Sequence, residues 1–222
     1  MRLILLKVTC VFCLFIAGLG ASAQTKIKVA CIGNSITAGS INDTKEFEPY
    51  PTRLQVLLQN FKPDTYEVRN FGVSGRTVLK KTPESYWNES KYRDVLAWKP
   101  DIVIIKFGTN DSKDKYWPIY KQDFYNDYMA FVNSLKVLDS HPIIYVCYPL
   151  AAFSNYAQIN DKVIREEIVP QVKKVALKSN ATFIDLYTAF TGKRALIKDD
   201  GIHPLQPGAE FLANEIYQVI TK

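Results

Sequence analysis

The chain has 222 residues, of which 47% are hydrophobic and 23% charged, and its net charge is +6. Those proportions suit an ordinary globular protein and exclude a disordered chain, a collagen-like fibre and a small disulfide scaffold. The basic residues are scattered among acidic ones without a dense stripe or a nucleic-acid motif, so no nucleic-acid partner is expected.

Residues 1–23 read as a secretory leader. Arg2 and Lys7 give a positive start, Val8 to Leu19 are almost all apolar, and Ala21-Ser22-Ala23 forms a small-residue cleavage site. Residues 24–222 are then expected to form a single exported domain, periplasmic or extracellular. No later apolar run reaches the roughly 18 residues that a span requires, so no stable membrane insertion is expected once the leader is gone. Cys10 and Cys13 leave with the leader. Cys31 and Cys147 lie in apolar, strand-like runs and read as buried thiols rather than a disulfide pair.

After the leader, Lys28 to Ile32 reads as a first strand that stops at Gly33-Asn34-Ser35. Residues 37–50 read as a surface loop. Pro51 opens a helix that carries Leu54, Leu57 and Leu58 on one face. Tyr66 to Phe71 forms a second strand, followed by the turn Gly72-Val73-Ser74-Gly75. A helix is predicted over Ser85 to Trp98, with Pro100 beyond its end. Asp101 to Phe107 is apolar without alternation, as in a central parallel strand covered on both faces, and it runs into Gly108-Thr109-Asn110-Asp111. The period of Phe124, Tyr128, Phe131, Val132 and Leu135 predicts a helix over Gln122 to Leu138. A fourth strand follows at Ile143 to Tyr148, then an aromatic loop from Pro149 to Gln158. Asn160 to Leu177 reads as a helix kinked or broken by Pro170. Thr182 to Leu186 is a fifth strand, and Pro207-Gly208 opens a last helix ending near Ile220. Strands and helices alternate, and the connections are too long for hairpins. The expected fold is α/β, a three-layer α/β/α sandwich around a parallel sheet of about five strands. In such sheets the crevice lies beyond the carboxyl ends of the strands.

The residues able to carry chemistry fall at those ends. The chain has two histidines. His141 precedes the fourth strand, on the wrong edge, and reads as a turn residue. His203 follows Asp200 by three positions, a spacing that lets a carboxylate hold one ring nitrogen while the other serves as a base. A turn leading into the last helix explains it equally. Ser35 stands where a strand turns sharply and is a candidate nucleophile, or simply a helix cap. Gly75 and Asn110 follow the second and third strands. They are candidate donors to an oxyanion, or a turn glycine and a loop cap.

Taken together, Gly33-Asn34-Ser35-Ile36-Thr37, Asn70-Phe71-Gly72-Val73-Ser74-Gly75, Gly108-Thr109-Asn110-Asp111 and Asp200-Gly201-Ile202-His203 resemble the four ordered blocks of the SGNH hydrolases, the GDSL-like lipase and acylhydrolase family. The resemblance runs from Lys28 to the C-terminus and is similar above all to exported bacterial carbohydrate or sialate O-acetylesterases. It implies a flavodoxin-like sheet and a carboxylic ester hydrolase with Ser35 as nucleophile, His203 as base and Asp200 as its acid. The oxyanion donors would be Ser35, Gly75 and Asn110. Asp199 rivals Asp200, and the family spacing favours Asp200. Asn34 stands where the family usually has Asp. No cofactor or metal is implied, and the chain has no H-E-x-x-H run. The expected substrate is a small-molecule or glycan ester, chiefly O-acetyl. Tyr50, Trp117, Phe153, Asn155 and Tyr156 are read as loop aromatics and amides suited to a sugar ring, or as ordinary loop packing. The alternatives are a lysophospholipase or short-chain lipase of the same fold, and a non-catalytic glycan-binding domain. The oligomeric state is not legible in the sequence.

Overall fold

A computed structural model describes residues 25–39 and 47–222; the predicted leader lies outside them. Five strands form one parallel sheet: β1 (Ile27–Gly33), β2 (Tyr66–Gly72), β3 (Ile102–Lys106), β4 (Ile143–Cys147) and β5 (Thr182–Ile184). Their spatial order is β2-β1-β3-β4-β5. Gly33 pairs with Gly72 on one side and with Lys106 on the other, so these three strands end at one level. The order reverses between β1 and β3, which opens a crevice there.

Helices cover both faces. Against one face pack α3 (Ser90–Trp98), α4 (Trp117–Lys136) and α6 (Val169–Lys178), joining Val103 and Ile105 of β3 in one core. On the other, α2 (Tyr50–Phe61), α7 (Leu186–Phe190) and α8 (Gln206–Ile220) join Ile102 and Ile104. The unalternated apolar run of β3 follows from this double covering, because successive side chains enter opposite cores. Cys31 and Cys147 are free and fully buried. Burial pushes both thiols up, Cys147 to about 12, so neither is a reactive thiolate.

Three predicted helices differ in detail. The segment Ser85 to Trp98 is a 3₁₀ turn at Tyr86–Asn88, an extended Glu89 and then α3. Side-chain bonds hold that turn: Tyr86 Oη donates to the Phe71 carbonyl at 2.6 Å, and Trp87 Nε1 to that of Val78 at 2.9 Å. The fourth helix begins at Trp117 rather than Gln122, with Pro118 in its first turn, where a missing N–H is harmless. Pro170 does not break its helix. The turn before it, Ile164–Ile168, is wound as a π-helix between α5 (Asp161–Val163) and α6, and the Val169 N–H donates to the Ile164 carbonyl. The wider turn relieves the clash of the proline ring with the preceding carbonyls.

Among the described residues, no helix is long and apolar enough to cross a membrane.

Candidate active site

The site assembles from four loops at the carboxyl edge of the sheet. After β1 the chain turns into the short helix α1 (Ser35–Ala38). Asn34 is its cap: Oδ1 accepts the Ile36 N–H at 3.1 Å. Ser35 is therefore the first helical residue and not the cap. Asn70, on β2, fastens the other end of α1. Its Nδ2 donates to the Thr37 and Ala38 carbonyls at 2.8 and 3.3 Å, while Oδ1 accepts the Gly72 N–H at 2.9 Å. A side chain at Gly72 would run into the Ala38 backbone. These contacts set the nucleophile loop against β2.

The loop after β2 turns at Gly75, whose φ is +79°. The loop after β3 reaches it through Asn110, whose Nδ2 donates to the Arg76 carbonyl at 3.1 Å. An amide has two N–H bonds, so this leaves one for a ligand. Asp111 locks the two loops together: it is fully buried and accepts the N–H groups of Val78, Leu79 and Gly108 at 2.9, 3.2 and 3.0 Å. Burial pushes its carboxyl up to about 6, against the pull of those N–H groups.

The fourth loop carries Asp200 and His203. Ser35 Oγ lies 2.8 Å from His203 Nε2, and His203 Nδ1 lies 2.6 Å from Asp200 Oδ2. Asp200 Oδ1 accepts the N–H groups of Ile202 and His203 at 2.8 and 2.9 Å. Partial burial raises the Asp200 carboxyl, but the N–H groups of His203 and Ile202 and the imidazole outweigh it and leave the acid below its ordinary value. Asp200 is thus an anion facing Nδ1, which places the ring proton there and leaves Nε2 to accept from Ser35. A hydroxyl–imidazole–carboxylate chain of this kind can take a proton from oxygen during attack on a carbonyl. Asp199 is exposed on the outside of the turn. Gly201, at φ +75°, leaves no room for a side chain beside Ser154, whose Oγ donates to the Asp200 carbonyl. The Phe153 N–H donates to the Gly201 carbonyl at 2.8 Å.

These groups line a cavity of about 220 Å³ bounded by Ser35, Ser74, Gly75, Asn110, Lys113, Tyr156, Ala157, Ile159, Asp200 and His203. Ser35, Gly75, Asn110, Asp200 and His203 are brought to one place. The residues proposed for sugar binding divide. Tyr156 lines this cavity, whereas Phe153 and Asn155 line a neighbouring one of about 350 Å³. Tyr50 and Trp117 are corrections: they are 0% and 3% exposed, out of reach of a substrate. Both are the first residues of helices, α2 and α4, and their side chains turn inward to the core. Each helix starts earlier than its sequence pattern predicts, which carries the aromatic off the surface loop. Lys113, Ser154 and Ile159 were missed. The run Asn110-Asp111-Ser112-Lys113 held a signal for the lysine, since a residue one turn past a site amide faces the same opening.

The sequence model of the GDSL-like lipase/acylhydrolase family matches residues 31–211. The chain belongs to that family. It is 39% identical to an acetylxylan esterase of Xylanibacter ruminicola over 90% of its own length and 44% of that protein's, so it spans less than half of this relative. An acetylxylan esterase of Geobacillus stearothermophilus is 31% identical over 74% of this chain and 77% of that one. Among solved structures, a mutant of an acetyl-xylooligosaccharide esterase from Geobacillus superposes with a TM-score of 0.68 at 25% identity, covering 90% of this chain and 96% of that one. The fold built on the five-stranded parallel sheet is shared with that solved structure.

Proposed function

We propose that the chain is a serine esterase that removes small acyl groups, chiefly O-acetyl, from carbohydrate substrates. The observation that carries this reading is the run of contacts Ser35–His203–Asp200, at 2.8 and 2.6 Å, opening on a cavity also lined by Gly75 and Asn110. The two acetylxylan esterases among its relatives support the choice of acetyl and of sugar.

In the proposed reaction Ser35 Oγ attacks the ester carbonyl while His203 Nε2 takes its proton. Asp200 keeps the imidazole in the needed tautomer and stabilises its charged form. The N–H groups of Ser35 and Gly75 and the free amide N–H of Asn110 hold the oxyanion. His203 returns the proton to the leaving alcohol, and water repeats the sequence on the acyl-enzyme. No step calls for a metal or a cofactor. A volume of about 220 Å³ favours a short acyl group over the long chains of a lysophospholipid. Export by the leader, and residues 24–222 acting as one domain, belong to the same proposal.

The test is hydrolysis of 4-nitrophenyl acetate by the purified protein and by its Ser35→Ala variant, with folding of both checked by circular dichroism. Turnover by the first and a background rate in the second are expected. Equal rates would remove Ser35 as the nucleophile. A preference for acyl chains of eight carbons or more would turn the reading to a lipase. Glycan binding without turnover would turn it to a binding domain.

A further inference from the structure

One charged side chain in the cavity has no part in acyl transfer. Lys113 lines it together with Ser35, Asn110 and His203, yet is only 9% exposed. Its ammonium makes no hydrogen bond or ion pair among the described residues, and it stays open to the cavity rather than sealed in the core like the Lys106 ammonium. The neighbouring charges do not supply one. Glu84 accepts Lys115 Nζ at 2.9 Å through Oε1, its Oε2 making no hydrogen bond with Lys113 either; Arg76 is held by Glu89 at 2.5 Å, and Asp111 is filled by three backbone N–H groups. Asp200, the carboxylate that lines the cavity, is bonded to His203 and two N–H groups. Burial accordingly pulls the lysine down from its ordinary value, with Glu84 and Asp111 acting against the shift and Lys115 and Arg76 with it.

We propose that Lys113 binds a carboxylate carried by the sugar beside the scissile ester, so that the substrates of this site are O-acetylated acidic sugars of the uronic acid class. The inference rests on the acetylesterase reading. Lys113 lines the same cavity as Ser35, His203 and the Asn110 amide, so an anion on the sugar that carries the ester falls within one small space with the ammonium. A carboxylate entering the cavity makes a charge-assisted hydrogen bond with the ammonium. A neutral sugar offers only hydroxyl groups.

The test uses a mono-O-acetylated methyl glucuronoside as the free acid and as its methyl ester, two probes alike in shape and different in charge. The acid is expected to exceed the ester in kcat/KM by roughly 10- to 100-fold, the range of one hydrogen bond to a charged group, with the difference mainly in KM. Lys113→Met should abolish that ratio and Lys113→Arg should keep most of it. The ratio should also shrink as salt is raised. Equal rates on the two probes by the unmodified protein, a ratio that survives in K113M, or a K113M loss of the same factor on both probes would each overturn the proposal. The last result would place Lys113 at the oxyanion or in the scaffold. Calorimetric titration of glucuronate into the Ser35→Ala protein, with and without K113M, reads binding apart from catalysis. Lysine-dependent binding without hydrolysis of any acetyl ester would sink the esterase reading alone. Hydrolysis without lysine-dependent discrimination would sink this inference alone.

Discussion

Asp111 offers the most demanding check on how the site is held together. Its carboxylate is the shared acceptor for Val78 and Leu79, on the segment that follows Gly75, and for Gly108, at the start of the loop that carries Asn110. Asp111→Ala leaves three buried N–H groups without an acceptor. At about 1–3 kcal/mol each the loss is at least ~3 kcal/mol, a large part of the 5–15 kcal/mol that typically holds a domain together. Asp111→Asn is milder. Its carbonyl oxygen can keep Val78 and Leu79, but its NH₂ then faces the Gly108 N–H, so one bond is lost at about 1–3 kcal/mol.

The two side chains differ also in their response to pH. The folded-state pKa of Asp111, about 6, lies above the ordinary carboxylate value. Its contribution to stability is therefore full below about pH 4 and is lost as pH rises through 6, a change on the order of 3 kcal/mol. Asn does not titrate. The stability gap between the unmodified protein and D111N should therefore narrow by about that amount between pH 4 and pH 7.5, measured by urea denaturation at a series of pH values. A gap that stays flat or widens would refute the assignment of the shift to this buried carboxyl. D111A as stable as the unmodified protein would refute the claim that it carries the two loops.

Two further predictions concern the acid and the donors. Asp200→Asn should lower kcat/KM on an acetyl ester by on the order of 10³–10⁴-fold through the wrong imidazole tautomer. Asp199→Asn, on the exposed side of the turn, should change it less than about threefold; a larger loss for D199N would reverse the assignment. Asn110→Ala should lower kcat by about 10²–10³-fold with little change in KM, as for a donor that acts in the transition state. A loss confined to KM would make Asn110 a ground-state contact.

The strands are legible in the sequence because each is a local pattern with one physical cause, and the four proposed site blocks stand out because they fall at strand ends that meet at one sheet edge. Ile102-Val103-Ile104-Ile105 is apolar because β3 is covered on both faces, and Gly72 marks the place where β2 meets the backbone of α1. Helix starts were less legible. Tyr50 falls in the predicted loop one residue before Pro51, and Trp117-Pro118 lies ahead of the helix predicted from Gln122, yet proline in a first turn costs no hydrogen bond, and the aromatic before it is free to turn into the core. The buried partners of the loops were not legible at all. Nothing in Asp111 or Ser154 announces which distant N–H or carbonyl it will meet, since those contacts, Asp111 with Val78 and Ser154 with Asp200, join segments that only the fold brings together.

Asn34, where the family usually has Asp, shows what that local chemistry tolerates. Its function in the fold is to cap α1, and the cap needs one oxygen to accept the Ile36 N–H, which an amide supplies as well as a carboxylate does. The residue is fully buried, and its Nδ2 makes no hydrogen bond among the described residues. A carboxylate in the same position would be desolvated, with a second oxygen where that amide nitrogen now stands, and would place a negative charge one residue from the proposed nucleophile, close to where the proposed oxyanion would form. The amide therefore keeps the contact between Ser35 and His203 without adding a charge beside the proposed nucleophile. The departure from the usual residue bears on the tuning of Ser35 rather than on the construction of the site.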